Sequence, residues 1–73
     1  MVTGLLVLMR KKGIKNIELA RHIGAGEAQV SHWKAGRTYI PPKHHKTLAE
    51  FLRVPIEEVV DLKTNLPKFV EEG

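Results

Sequence analysis

Asn16-Ile17-Glu18-Leu19-Ala20-Arg21-His22-Ile23-Gly24-Ala25-Gly26-Glu27-Ala28-Gln29-Val30-Ser31-His32-Trp33-Lys34-Ala35-Gly36 is the stretch whose reading decides the fold. Two runs of apolar residues at helical spacing flank a glycine-containing connector. Leu19, Ala20 and Ile23 share one face of a helix predicted over about Asn16 to Ile23. Val30, Trp33 and Lys34 share one side of a second, predicted over about Glu27 to Ala35. Gly24 and Gly36 each stand just past a last helical residue, where the chain leaves a helix most easily with φ > 0. Ala25-Gly26 is then a short turn. Two helices this short and this closely joined must cross steeply, which calls for a small residue at the crossing, and Ala20 supplies it.

That arrangement is a helix-turn-helix. Trp33 is in phase with apolar partners and reads as core rather than as a base-stacking residue. Glu27, Ala28, Gln29, Ser31 and His32 are left facing outward. A major groove about 12 Å wide admits one helix presenting such side chains.

Working outward, Thr3 to Lys12 suits a helix with Thr3 as N-cap and Gly13 as the residue after its end. Leu5, Leu8, Met9 and Lys12 follow its apolar face. Leu6 and Val7 fall off that face, as extra core or as an apolar strip for a partner. Arg10-Lys11-Lys12 match the helix dipole at its C-terminal end. Pro41-Pro42 precede a fourth helix over about Lys43 to Leu52, with Leu48, Phe51 and Leu52 buried. Pro55 opens a fifth, Ile56 to Leu62, with Val59 and Leu62 buried. β-branched alternation is missing, so strands are not expected. The expected fold is all-α, a compact domain of five short helices spanning residues 1–62. Residues 63–73 form a C-terminal tail, flexible or dimer-contacting, in which Leu66, Phe69 and Val70 are free to dock.

Composition bounds the rest. The 73 residues carry a net charge of +4 and no cysteine, which leaves one small core and excludes disulfides and thiolate metal sites. The longest apolar run, Leu5 to Met9, is far short of the roughly 20 residues that cross a bilayer. An intracellular, cytoplasmic protein with no membrane segment is expected. The charge is uneven. Residues 1–46 hold nine Lys/Arg against two acids, a net of +7, and residues 47–73 hold three against six, a net of −3. All four histidines lie in the basic part. A polyanionic partner follows. His44-His45 diverge by roughly 100° on a helix and have no third ligand at suitable spacing, so no metal or other cofactor is expected. His44 is expected toward solvent or phosphate and His45 partly buried. No catalytic constellation is present, and an enzyme is not expected.

Gly13 to Gly24, followed by Val30-Ser31-His32-Trp33-Lys34-Ala35-Gly36-Arg37, resembles the Cro/lambda-repressor-like helix-turn-helix domain. Leu48-Ala49-Glu50-Phe51-Leu52-Arg53-Val54 and Val59-Val60-Asp61-Leu62 resemble that family's fourth and fifth helices. The resemblance covers about Leu5 to Leu62. It implies a five-helix domain that binds operator DNA as a dimer, with the third helix in the major groove. Carried over by position, it implies base contacts from Gly26, Glu27, Ala28, Gln29 and His32. It implies phosphate contacts from Asn16 and from Lys34, Arg37, Thr38 and Lys43. Four positions depart from the pattern. Lys15 stands where Ser or Thr usually caps helix two, leaving Asn16 to cap one residue later. Gly26 stands where Ser or Thr begins helix three, His45 replaces a buried aliphatic residue, and Arg53 replaces the glycine that ends helix four.

The expected function is sequence-specific recognition of double-stranded DNA by a homodimeric transcriptional regulator, a repressor of phage or bacterial type. Arg–guanine contacts are absent from the leading turn of the reading helix, which leaves Gln29 for adenine and Glu27 for cytosine N4. The alternative is a protein-interaction module on the same fold, an antitoxin or adaptor, meeting its partner through Leu6, Val7 or the tail.

Overall fold

The computed structural model describes residues 1–71. Its helices are α1 (Gly4–Lys12), α2 (Asn16–Ile23), α3 (Glu27–Ala35) and α4 (His45–Leu52). Short extended pairs close the chain ends: β1 (Val2–Thr3), β2 (Val60–Asp61), β3 (Leu66–Pro67) and β4 (Phe69–Val70).

The local signals explain the helix limits. Thr3 is extended, and its Oγ1 accepts the Leu6 N–H at 3.1 Å, which caps α1. Gly24 ends α2 at φ +75. The Ala25 N–H then returns to the Ala20 carbonyl at 2.9 Å, folding the chain directly into α3. Ala20 is buried at the crossing.

The N-cap of α2 differs from expectation. Lys15 occupies it and offers no side-chain acceptor, and the Glu18 carboxylate instead reaches back to accept the Lys15 N–H at 3.2 Å. Asn16 is the first helical residue, and its side chain is engaged elsewhere. At the end of α4, Arg53 takes the left-handed conformation itself, at φ 59. A residue with a Cβ does so at a cost of about 1–2 kcal/mol.

The core is centred on Trp33, packed with Leu5, Met9, Leu19, Leu48 and Leu52, and closed by Ile40, Val59 and Val60. Ile40 follows α3 and is held by a 2.6 Å bond from its N–H to the Asn65 carbonyl. Gly4 marks a close approach of backbone to backbone. A Cβ there would lie 2.8 Å from the Glu58 carbonyl oxygen.

Two expectations are corrected. The described residues form four α-helices, not five. Pro55 does open a helical turn, but this is a 3-10 turn that lasts only over Ile56–Glu58. A second 3-10 turn, Pro42–His44, leads into α4, which therefore starts later than expected. After Val59 the chain becomes β2 and pairs antiparallel with β3, Val60 opposite Pro67 and Asp61 opposite Leu66. The reversal is built by Asp61, whose carbonyl accepts the N–H groups of Thr64 and Asn65, and by Asn65 at φ 62. Val59 is buried as expected, but Val60 fills the neighbouring core position, while Leu62 lies 52% exposed. Spacing of three residues fitted Val59 and Leu62, yet in-out alternation fits Val60 and Asp61 equally well over so short a run.

Strands, not expected, are the second correction. Besides β2–β3, β1 pairs antiparallel with β4, Val2 opposite Val70 and Thr3 opposite Phe69. Lys68 joins the two pairs. Its N–H bonds to Val59 at 2.9 Å, and its carbonyl accepts from Gly4 at 2.8 Å. Among the described residues, no helix is long and apolar enough to cross a membrane.

Candidate nucleic-acid interface

α3 shows its outward side to solvent. Glu27, Ala28, Ser31 and His32 are exposed, Gln29 is half-buried, and Val30 and Trp33 are fully buried beneath them. The helix is thus anchored by one face and open on the other. Gly26 is exposed at its N-cap and makes no side-chain bond. Its first turn therefore lacks an internal cap for the free N–H groups. From Ala28 to Ala49 the sequence contains no acid, while Lys34, Arg37, Lys43 and Lys46 all fall within it. That segment carries the trailing half of α3 and the loop beyond it.

Two of the residues expected at phosphates meet each other. The Lys34 ammonium donates to Asn16 Oδ1 at 2.8 Å. The bond ties the start of α2 to the last turn of α3. It also leaves two of the ammonium's three donors unused by Asn16. Arg37 and Thr38 follow α3 directly and are exposed, and Lys43 is exposed on the 3-10 turn before α4. Tyr39, which sequence reasoning passed over, lies 58% exposed beside them. Its signal was there: an aromatic residue between Arg37-Thr38 and two prolines, next to an apolar residue that turns inward.

His44 corrects an expectation. It is buried, not turned to solvent or phosphate. Its ring lies 5.6 Å from Trp33 of α3, centroid to centroid. Burial holds its pKa below the ordinary 6.5, and the neighbouring Lys43 and His45 act in the same direction, while a hydrogen bond with the Ile23 backbone opposes them. His45 is half-buried, and its Nε2 lies 2.8 Å from the Ile40 carbonyl oxygen.

The lowered pKa has a consequence for stability. The folded state prefers neutral His44, so the unfolded chain takes up the proton first. The stabilisation is complete above about pH 6.5 and is lost as pH falls through that value toward the lower folded pKa. Thermal unfolding followed from pH 7.5 to 5.5 should show wild type losing its advantage over His44→Gln as acid is added. A difference constant across that range would refute a neutral buried imidazole.

The fold and this exposed helix define a class: a helix-turn-helix module built to meet a polyanion. Residues 4–65 match the Cro/C1-type HTH DNA-binding domain family, and the chain belongs to it. Comparison with curated proteins and with solved structures gave no match. Membership makes this a DNA-binding domain of a kind that typically binds rather than catalyses.

Proposed function

We propose that the protein is a sequence-specific transcriptional regulator, a repressor of phage or bacterial type, that binds duplex DNA as a homodimer with α3 in the major groove. The observation that carries this reading is the exposed outer side of α3 standing on a face locked by Val30 and Trp33. Gly26, Glu27, Ala28, Gln29 and His32 meet base edges. Asn16, Lys34, Arg37, Thr38 and Lys43 meet the phosphates on either side. Phosphate contacts supply affinity and register, and base contacts supply choice. The Lys34–Asn16 bond supports a shared role, because it presents both groups at one place. A dimer spanning half-sites about 34 Å apart on one face of the DNA excludes polymerase from the same site.

Gln29→Ala with His32→Ala tests the base contacts. The pair should abolish preference for the duplex selected by wild type from random sequences, a loss of about 10–100-fold, since one good base contact contributes about 1–3 kcal/mol. Affinity for scrambled duplex should hardly change. Three cations per subunit predict a dimer whose log affinity falls with log salt at a slope of about −5. Salt-independent binding, or no duplex binding at low salt, rejects the proposal.

A further inference from the structure

Segments from the first and the last described residues converge on the trailing end of α3. Thr3 of β1 donates its hydroxyl to the Lys34 carbonyl at 2.6 Å. Its backbone neighbour across the strand pair is Phe69, whose ring sits on Gly36, the residue that ends α3. Earlier in the same C-terminal segment, Asn65 holds Ile40 by the 2.6 Å backbone bond. These contacts touch the last turn of α3, its terminator and the loop that follows. None of them touches the face of α3 that is free to meet bases.

We infer that β1, Asn65 and Phe69 form a clamp that sets the angle of α3, and that Phe69 is a positioning residue for base discrimination. This rests on the proposed reading of DNA through α3. The physical argument is one of leverage. α3 is nine residues long, about 13 Å at 1.5 Å per residue, and all its proposed base-reading residues except His32 lie toward the opposite end from the clamp. A pivot at Gly36 moves Glu27 and Ala28 with the full length of the helix as lever arm, so a tilt of a few degrees shifts them by about half an ångström to an ångström. Hydrogen bonds to base edges tolerate only a few tenths of an ångström, while contacts from flexible Lys and Arg side chains to phosphates tolerate more. Loosening the clamp therefore weakens discrimination before it weakens attachment. Phe69 is 49% exposed, so its removal takes little from the core.

The test compares Phe69→Ala and Phe69→Leu with wild type on two duplexes: the one selected by wild type from random DNA, and a scrambled duplex of equal length and composition. Phe69→Ala should lower the ratio of the scrambled-duplex to the selected-duplex dissociation constant by about tenfold, with scrambled-duplex affinity within about twofold and the salt slope unchanged. Phe69→Leu, which still covers Gly36, should restore most of the ratio. A merely structural role predicts otherwise, because partial unfolding divides both dissociation constants by the same folded fraction and leaves their ratio intact. An unchanged ratio overturns the inference. Thr3→Val keeps the volume and removes the hydroxyl bond to Lys34 together with the cap of α1; the ratio, which a lower folded fraction does not move, should fall in the same direction, and this variant serves if Phe69→Ala does not fold.

A measurement without DNA separates this inference from the proposed function. Amide exchange at Gly36 and Arg37, whose N–H groups close α3 on Trp33 and His32, should quicken at least tenfold in Phe69→Ala and stay unchanged in α2. Equal exchange in both proteins overturns the clamp. Quickened exchange in a chain whose wild type prefers no duplex upholds the clamp and rejects the DNA reading alone.

Discussion

Replacing Trp33 with alanine is expected to leave the domain largely unfolded at physiological temperature. Trp33 is the largest fully buried side chain and the centre of the core. Truncating such a residue costs about 3–5 kcal/mol. A 73-residue chain has only about 4–11 kcal/mol of stability in total. It also has no disulfide to fall back on. The informative comparison is Trp33→Phe. Among the described residues, the indole Nε1 has no hydrogen-bond partner, and a buried unpaired donor costs about 1–3 kcal/mol. Phenylalanine removes that donor while keeping most of the aromatic volume. Its loss should be less than half that of alanine. Urea unfolding followed by far-ultraviolet circular dichroism gives both values without relying on tryptophan fluorescence. If phenylalanine proves as damaging as alanine, the indole N–H is bonded in solution after all.

Gly36→Ala is the second large effect, at about 2–4 kcal/mol. Two penalties act at this residue. Its φ of +74 lies in the left-handed region, where a Cβ costs about 1–2 kcal/mol. That Cβ would also overlap the Phe69 ring, with two ring carbons at 3.1 and 3.2 Å and the ring tip nearer still. The ring must leave, and its packing is lost with it. Gly24 isolates the first penalty, because it has φ +75 but nothing within 4 Å of an added methyl. Gly24→Ala should therefore cost about half as much. In a Phe69→Ala background, Gly36→Ala should cost no more than Gly24→Ala does, a coupling of about 1–2 kcal/mol in a double-mutant cycle. Zero coupling would show that the ring does not rest on Gly36 in solution.

Other positions show how far local signals reached. Thr3 and Gly13 announced the limits of α1 because capping and left-handed termination depend on neighbours three or four residues away. Val30 and Trp33 announced the buried face of α3 because helical period is a local property. The outward side of α3 followed by elimination. Gln29 was less legible: it is half-buried, since the width of an apolar face depends on what packs against it. Asn16 was misread as a cap because its partner, Lys34, lies on another helix.

The sequence by itself determined the helix-turn-helix, the glycine terminators, the tryptophan core and the basic half of the chain. Each rests on spacing within a turn or two, or on counting. Tertiary structure alone decided the remainder. β1 finds β4 across almost the whole chain, and two-residue strands leave too little alternation to announce themselves. Pairing with Pro67 in the separate β2–β3 pair diverted Val60 into a strand where helical spacing had carried the reading on to Leu62. The β1–β4 closure seated Phe69 on Gly36, and the packing of the turn before α4 against α3 placed His44 beneath Trp33. Such contacts are selected by what the folded chain brings together, after the loop entropy of joining distant segments has been overcome. No window of neighbouring residues contains that information.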